Sequence, residues 1–222
     1  MTRQRFLRLL ERIERELPQA CRRQLRRLER RRRTPFLKVL VGGILSHQTT
    51  ARQEHVAMQR LWTRYDSMAQ IARAHPRQIE TLIGNVGLGR VKADRIGAIA
   101  RLIKQQWRRE QRLANFLHTA PLAEAQRALL ELPGVGQKTA AVVLLFRFNR
   151  PMFPVDTNIL RVARELGWVR RKADAEDVRA FVERILPPDP RIYKKAHAYL
   201  LVVGRATQRG RNRALFKRLQ AG

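Results

Sequence analysis

The segment Leu129 to Thr139, LLELPGVGQKT, holds the residues best suited to chemistry. It lies between two stretches of helical periodicity, so Gly134 and Gly136 would form the turn. Glycine allows positive φ and lets a ligand approach the backbone closely. The N–H groups that begin the next helix can then bind an anion such as phosphate, which the helix dipole also favours. Such a turn would hold a phosphodiester without reading any base.

Lys138 would be the second residue of the helix that follows this turn. The positive end of the helix and partial burial both disfavour an ammonium group, which frees the amine to act as a nucleophile. An amine that attacks C1′ of a nucleotide and displaces the base yields a Schiff base. Asp156 could stabilise the developing charge on the sugar or accept a proton. It could also cap a helix, a role compatible with catalysis.

The turn has other interpretations. Gly136-Gln137-Lys138-Thr139 is similar to the end of a nucleotide-binding P-loop, but that motif needs glycine directly before lysine and a strand before the loop. Gln137 intervenes and a helix precedes, which disfavours this interpretation. When the turn is considered without the surrounding residues, a helix–turn–helix corner without function remains an alternative. Lys138 could also bind phosphate instead of reacting.

The elements that must position these residues are predicted to be helical throughout, about ten helices in an all-α fold. Sustained strand alternation is missing from the sequence. Helices with a predicted end begin at or near Pro18 (to Arg33), Phe36 (to about Ser46), Gly89 (through Trp107), Pro121 (to Leu132), Gln137 (to Phe148) and Asp189-Pro190 (to about Arg205). Others begin at or near Thr2, Thr50, His75-Pro76, Asp156-Thr157 and Asp174. The helix from Phe36 is almost wholly apolar and is therefore expected to be buried.

Composition limits the class of protein. Lys and Arg number 47 against 18 Asp and Glu, a net charge of +29 with pI ≈ 11.8. Apolar residues form 44% of the 222, too many for a disordered basic tail. The longest apolar run, Ala140 to Phe146, is too short to span a bilayer, and Cys21 is the single cysteine. We expect a folded monomer, not bound to membranes, in the cytoplasm near the nucleoid, with nucleic acid as its partner.

LPGVGQKTAAVVL followed by PVDTNILRV closely resembles the helix–hairpin–helix and aspartate pattern of the base excision DNA glycosylase superfamily, in particular its endonuclease III branch. The resemblance covers roughly residues 37–205. It implies an all-α, two-lobed fold with the active site in the cleft between the lobes. One lobe would be 39–150, and the other 1–38 plus 151–222. Lys138 and Asp156 match the family's catalytic lysine and aspartate.

The resemblance also implies how DNA would be held. In ILSHQTTARQ, Gln48 would be inserted into the duplex, and in NVGLGRVKADRI a second turn would bind backbone, with Leu88 as an apolar wedge. A core position for Leu88 and a helix-terminus role for Gln48 are the alternatives. His47 and Asn158 could touch the flipped base or the backbone. The expected DNA contacts are Gln48, Leu88, Gly89, Arg90, Lys92, Gly134, Val135, Gly136, Gln137 and Thr139. By the same resemblance, the carbonyls of Leu130, Leu132 and Val135 could hold a monovalent cation.

The chain departs from the family at its end. Relatives usually carry four cysteines there that ligate a [4Fe–4S] cluster, whereas Gln208 stands at the first expected cysteine and no cysteine follows. We therefore expect no iron–sulfur cluster and no other cofactor. The stabilising and DNA-contacting role that the cluster loop has in relatives would then be taken by Arg209, Arg211, Arg213 and Lys217. The adenine-excising branch has a catalytic Glu where this chain has Gly43.

These observations predict a bifunctional enzyme for base excision repair. It would flip out a damaged base in double-stranded DNA and remove it through a Lys138 Schiff base. The expected damaged base is an oxidised pyrimidine. The enzyme would then cleave the strand at the abasic site by β-elimination. The alternatives are a non-catalytic helix–hairpin–helix DNA-binding protein, an enzyme acting only on abasic sites, and a monofunctional glycosylase.

Overall fold

A computed structural model describes residues 1–210 and 212–220, leaving aside the side chain of Arg209. The predicted all-α fold is confirmed, since the described residues form fourteen α-helices and no strand. They are α1 (Arg3–Glu16), α2 (Pro18–Glu29), α3 (Phe36–Leu45), α4 (Ala51–Arg64), α5 (Met68–Arg73), α6 (Pro76–Ile83), α7 (Gly89–Leu102), α8 (Glu110–Thr119), α9 (Leu122–Leu130), α10 (Gln137–Val142), α11 (Thr157–Glu165), α12 (Ala175–Ile185), α13 (Pro190–Ala206) and α14 (Arg213–Gln220).

The predicted helix starts agree with the structure because their caps were readable. Side chains of Thr2, Thr50, Asp156 and Asp174 each accept a hydrogen bond from a backbone N–H in the first turn that follows. Such caps satisfy N–H groups that have no partner inside the helix. The N-terminal boundaries could therefore be predicted from residue types alone.

The predicted helix ends are less accurate. The helices predicted to reach Trp107 and Phe148 change into π-helical turns at 103–107 and 143–147. The helix predicted to end at Leu132 stops at Leu130, because Pro133 disfavours helical backbone in the residue before it. The prediction missed α5, α8 and α14, which are short and separated from their neighbours by only a few residues.

The chain divides into two compact units, Met1–Arg32 with Asn149–Gly222 and Arg33–Phe148. The boundaries expected from the sequence were 39 and 150. In the unit 33–148, α3 packs against α4, α7 and α10. Every α3 residue except Lys38 is buried, as its apolar sequence predicted.

In the other unit, α13 is the central helix and packs against α1, α2 and α11. Eleven of its residues are buried, including Tyr193, Tyr199 and His197. The face of α1 that carries Phe6, Leu9, Leu10 and Ile13 is also buried. Within residues 1–210 and 212–220, no helix is long and apolar enough to cross a membrane.

Candidate active site

The turn between α9 and α10 has the geometry that its glycines predicted. Gly134 has φ +78, a conformation that side chains rarely adopt, and a Cβ there would lie 2.4 Å from Cδ of Arg95. The N–H of Val135 donates to the carbonyl of Leu132 at 3.0 Å and closes the turn. Gly136 then caps α10 without a side chain, so nothing at that position covers the N–H groups that follow.

Lys138 is the second residue of α10, as predicted, and it is half-buried. Its neighbour Thr139 is only 2% exposed and packs toward α3. A Cβ at Gly43 would lie 2.8 Å from Cγ2 of Thr139. The two helices therefore approach each other at Gly43, which leaves no space for a larger side chain at that position.

For two predicted DNA contacts in this turn, the structure rules out a contact through the side chain. The side chain of Thr139 is buried and faces the core, so it does not reach the surface. Val135 is 6% exposed, and its N–H is already bonded to Leu132. Gly134 is half-buried, and Gly136 and Gln137 are exposed. Gln137 accepts a hydrogen bond from Gln126 at 2.6 Å.

Lys92 is a third correction, because it is buried instead of facing solvent. It lies in the first turn of α7 and is 1% exposed. Its Nζ donates to the carbonyls of Leu45 and His47, at 3.1 and 2.5 Å, and to Oγ1 of Thr49 at 2.6 Å. These three acceptors match the three donors of an ammonium group. Lys92 therefore fixes the segment after α3 instead of contacting DNA.

That fixed segment presents Gln48 beside Leu88. Both side chains are exposed, and both residues have left-handed backbone, with φ 48 at Gln48 and φ 59 at Leu88. A Cβ at Gly87 would lie 2.9 Å from the carbonyl oxygen of Gln48, so glycine is needed where the two segments meet. Leu88 is 55% exposed, which excludes the alternative that it is a core residue.

Such backbone is unfavourable for leucine by about 1–2 kcal/mol. An apolar side chain that is 55% exposed gains little from burial to offset this strain. Strain of this kind is concentrated at binding sites in proteins. Gly89 and Arg90 follow as the first residues of α7, and Arg90 is exposed.

His47 is half-buried in the same unit, and its surroundings favour the neutral imidazole over the charged form. Burial is the main cause that lowers its pKa from the ordinary 6.5, and the positive charges of Lys138, Lys92 and Arg95 lower it further. A neutral imidazole offers one donor and one acceptor, which suits contact with a base or with the DNA backbone.

Arg95 is a functional candidate that the sequence did not reveal. It is half-buried on α7, and its aliphatic part lies against Gly134. Its charge acts on His47. The available signal was helical spacing, since Arg95 is seven residues after Leu88 and thus about two turns further along the same face.

Asp156 lies in the other unit, at the start of α11. Its Oδ1 accepts from the N–H of Ile159 at 2.9 Å, so the capping role is confirmed, and its Oδ2 accepts from Nδ2 of Asn158 at 3.4 Å. Nδ1 of His197 lies 2.9 Å from the carbonyl of Pro154 and holds the segment before Asp156. A Cβ at Gly204 would lie 2.7 Å from Cβ of Asn158, so α13 supports Asn158 directly.

The candidate ion sites are of three kinds: a monovalent cation on the hairpin carbonyls, an iron–sulfur cluster, and a metal ion on side chains. The carbonyl of Leu132 already accepts from Val135, and the monovalent cation stays a prediction. Cys21 is fully buried and can supply one thiolate, so the chain does not fit a four-cysteine cluster. Among the described residues, no group of His, Cys, Asp or Glu is suited to a metal ion.

The chain segment expected to replace the cluster includes α14, which packs against α1. Nη1 of Arg12 donates to the carbonyls of Arg218 and Leu219, at 3.3 and 3.2 Å, and Arg218 pairs with Glu16 at 2.9 Å. Arg213 and Lys217 are exposed on α14. Arg211 and the side chain of Arg209 lie outside the described residues.

The chain belongs to the HhH-GPD superfamily of base excision DNA repair proteins, whose model matches residues 41–188. It is a DNA glycosylase of that superfamily. It is 32% identical to an endonuclease III of Thermotoga maritima over 155 residues, which is 70% of this chain and 67% of the relative. It is 30% identical to endonuclease III of Escherichia coli K12 over 175 residues, 78% of this chain and 75% of the relative.

The fold agrees with these relatives. A solved structure of a non-covalent endonuclease III–DNA complex matches with a TM-score of 0.76 at 22% identity, covering 98% of this chain and 94% of that one. At this identity the structural match supports the fold alone. Family membership and the helix–hairpin–helix at 129–139 together confirm the resemblance described for the sequence.

Proposed function

We propose that this glycosylase is bifunctional, removing a damaged base from double-stranded DNA and then cleaving the strand at the abasic site. The observation that carries the proposal is Lys138, a half-buried amine in the first turn of α10, directly after the Gly134 turn. Gly43, packed against Thr139, stands where the adenine-excising branch has its glutamate, so lysine chemistry is favoured over that of the adenine branch.

The reaction begins with deprotonated Nζ of Lys138 attacking C1′ of the flipped nucleotide. A bond from nitrogen to C1′ forms, and the glycosidic bond breaks with its electron pair leaving on the base. Opening of the sugar gives an imine between Lys138 and C1′. Removal of a proton from C2′ then expels the 3′ phosphate by β-elimination, and water hydrolyses the imine to regenerate the lysine.

Asp156 supplies the carboxylate in this proposal. Positive charge develops on the sugar as the base leaves, and a carboxylate stabilises it or accepts the amine's proton. Its hydrogen bonds from Ile159 and Asn158 hold the carboxylate in one orientation. Such preorganisation lowers the barrier because no reorientation is needed during the reaction.

DNA binding is proposed to use both turns of the unit 33–148. The exposed backbone at Gly136 and Gln137, with Arg95 against the turn, would bind phosphate. Gln48 and Leu88 would fill the space that the flipped nucleotide leaves, which offsets the few kcal/mol of unstacking. The exposure of both side chains supports this role.

The proposed substrates are oxidised pyrimidines and abasic sites in duplex DNA, as the sequence resemblance to the endonuclease III branch implies. A monomer in the cytoplasm, associated with the nucleoid, is proposed from the same bacterial relatives and from the net charge of +29.

The test is single-turnover cleavage of duplex oligonucleotides that contain thymine glycol, an abasic site or no lesion. We expect base release and strand cleavage from the first, cleavage from the second and neither from the third. Lys138→Ala should lower both rates by at least roughly 10³-fold, the scale seen when a covalent nucleophile is removed. Lys104→Ala, an exposed lysine of the same unit, is the matched control.

Three outcomes would contradict parts of the proposal. Base release without strand cleavage would leave a monofunctional glycosylase. Cleavage of the abasic duplex alone would leave an enzyme for abasic sites. Duplex binding with neither activity would leave a DNA-binding protein.

A further inference from the structure

Helix α2 carries an unusual concentration of positive charge on one face. Arg22, Arg23, Arg26 and Arg27 of α2 are exposed, as is Arg30 directly after its last residue, and with Gln19 these arginines line one open cleft. This set of five arginines is called the α2 arginine face below. It belongs to the unit 1–32 with 149–222, whereas the helix–hairpin–helix belongs to the unit 33–148.

The opposite face of α2 is fixed to the protein. Cys21, Gln24 and Leu28 are buried, and Oε1 of Gln24 accepts from Nη1 of Arg205 at 3.1 Å. α2 packs against both α13 and α1. The arginine face is therefore held in one orientation instead of moving as a loose tail.

Four of these arginines lack a carboxylate close enough to neutralise them. Within the described part of the chain, Arg22, Arg23, Arg26 and Arg27 form no ion pair closer than 4.0 Å. Glu29 is the one acidic residue of α2, and Glu14 on α1 interacts with Arg22 through charge alone. A concentration of like charges self-repels, which a polyanion would relieve.

The chemistry of this face favours a phosphate backbone over other anionic partners. Arginine binds phosphate oxygens through paired N–H donors. Arg22 and Arg26 are spaced by four residues, so their Cα atoms are about 6 Å apart along the axis of α2 and their side chains start from the same face. Protein interfaces need apolar anchors, and among the described residues α2 has no large apolar side chain exposed. An interfacial membrane helix needs a free apolar face, but that of α2 is buried.

We propose that the α2 arginine face is a second binding surface for duplex DNA, which contacts the phosphate backbone independently of the helix–hairpin–helix. It would supply affinity for undamaged DNA without sequence preference, as phosphate contacts do. The proposal extends the proposed function to the other unit of the chain, and it does not depend on the reaction of Lys138.

The test measures binding of the full chain to undamaged, fluorescently labelled duplex DNA by anisotropy over a series of salt concentrations. The variant is R22Q/R23Q/R26Q/R27Q. The matched control, R3Q/R8Q/R170Q/R171Q, removes four other exposed arginines of the same unit. Both variants lower the net charge equally, so only the clustered face separates them.

We expect the α2 variant to reduce the slope of log K against log salt by about 0.9 for each phosphate that the protein no longer neutralises, and to weaken low-salt binding by more than about tenfold. The control should change the slope by less than about 0.9, the value for a single phosphate. Replacing the same four α2 arginines by lysine should restore most of the slope, because the charge is kept. If the glutamine variant does not fold by circular dichroism, the same comparison is made between R22Q/R26Q and the control R3Q/R170Q, which remove two exposed arginines each.

An equal change in the α2 variant and the control would overturn the proposal, since net charge alone would then explain it. No change in either would also overturn it. A greater loss of binding to duplex RNA than to duplex DNA would assign the face to another partner and reject the proposal as stated. The salt series is repeated with Lys138→Ala added to each protein, which keeps the two proposals separate. These proteins should lose base excision and strand cleavage, and the four α2 substitutions should still reduce the salt slope.

Discussion

Lys92 and Lys138 lie in similar places in the sequence, yet the structure surrounds them differently. Each is in the first turn of a helix that follows a glycine-containing turn. Lys92 is 1% exposed and donates to three oxygens, whereas Lys138 is half-buried at the end of the hairpin. The difference in burial is why spacing alone identifies only a candidate amine, and why the structure leaves Lys138 and not Lys92 as the candidate nucleophile.

The two turns before these lysines differ in a related way. The turn before α10 places glycine at its left-handed position, Gly134. The turn before α7 places Leu88 in that conformation, and so does the segment after α3 with Gln48; glycine would be less strained at both positions. The turn before α10 is therefore unstrained at Gly134 and exposes backbone N–H groups to solvent. The turn before α7 is strained at Leu88 and exposes a side chain. Substitutions at Lys92, Lys138 and Leu88 test whether these differences between the lysines and between the turns are real.

The largest stability effect is expected for Lys92→Met. The substitution leaves the buried carbonyl of Leu45 without the donor Nζ of Lys92, and it removes one of the two donors to the carbonyl of His47, which destabilises the fold by about 2–4 kcal/mol. Lys138→Met should lower the free energy of unfolding by less, because Lys138 is half-buried whereas Lys92 is 1% exposed. Urea unfolding of both variants measures the difference. Equal losses of stability would show that the two lysines do not have the contrasting roles described.

Leu88→Gly should have a smaller effect on stability, with opposite sign. Removing left-handed strain at an exposed side chain should raise the free energy of unfolding by about 1 kcal/mol. The excision rate should fall in the same variant, because the wedge is gone. Urea unfolding and single-turnover excision test the two effects. A variant that is destabilised would instead mean that Leu88 serves the fold.

The smallest expected effect is the pH dependence that His47 contributes. Its pKa is lowered in the folded protein, so below the ordinary value of 6.5 the unfolded chain binds the proton more readily. The stability contributed by neutral His47 is therefore present above about pH 6.5 and is lost as pH falls toward the folded pKa. Unfolding at several pH values should show a shallower loss of stability in His47→Gln. An unchanged pH profile would contradict this account of His47.

Most of the helices and the hairpin could be predicted because their signals are local. Caps such as Thr50 and Asp156, and the glycine at 134, are set by residue type within a few positions. The burial of Lys92 could not be predicted, since its acceptors come from a segment more than forty residues earlier. Arg95 was missed for a similar reason, because its position against Gly134 depends on how α7 packs against the hairpin.

The central claim is that Lys138, and not Lys92, forms the covalent bond to DNA. The most direct measurement is borohydride trapping on a duplex that contains thymine glycol, followed by peptide mapping of the adduct by mass spectrometry. The account predicts one reduced linkage, at Lys138, and no adduct from Lys138→Ala. A linkage at Lys92 or at another lysine, or an adduct that persists in Lys138→Ala, would contradict it.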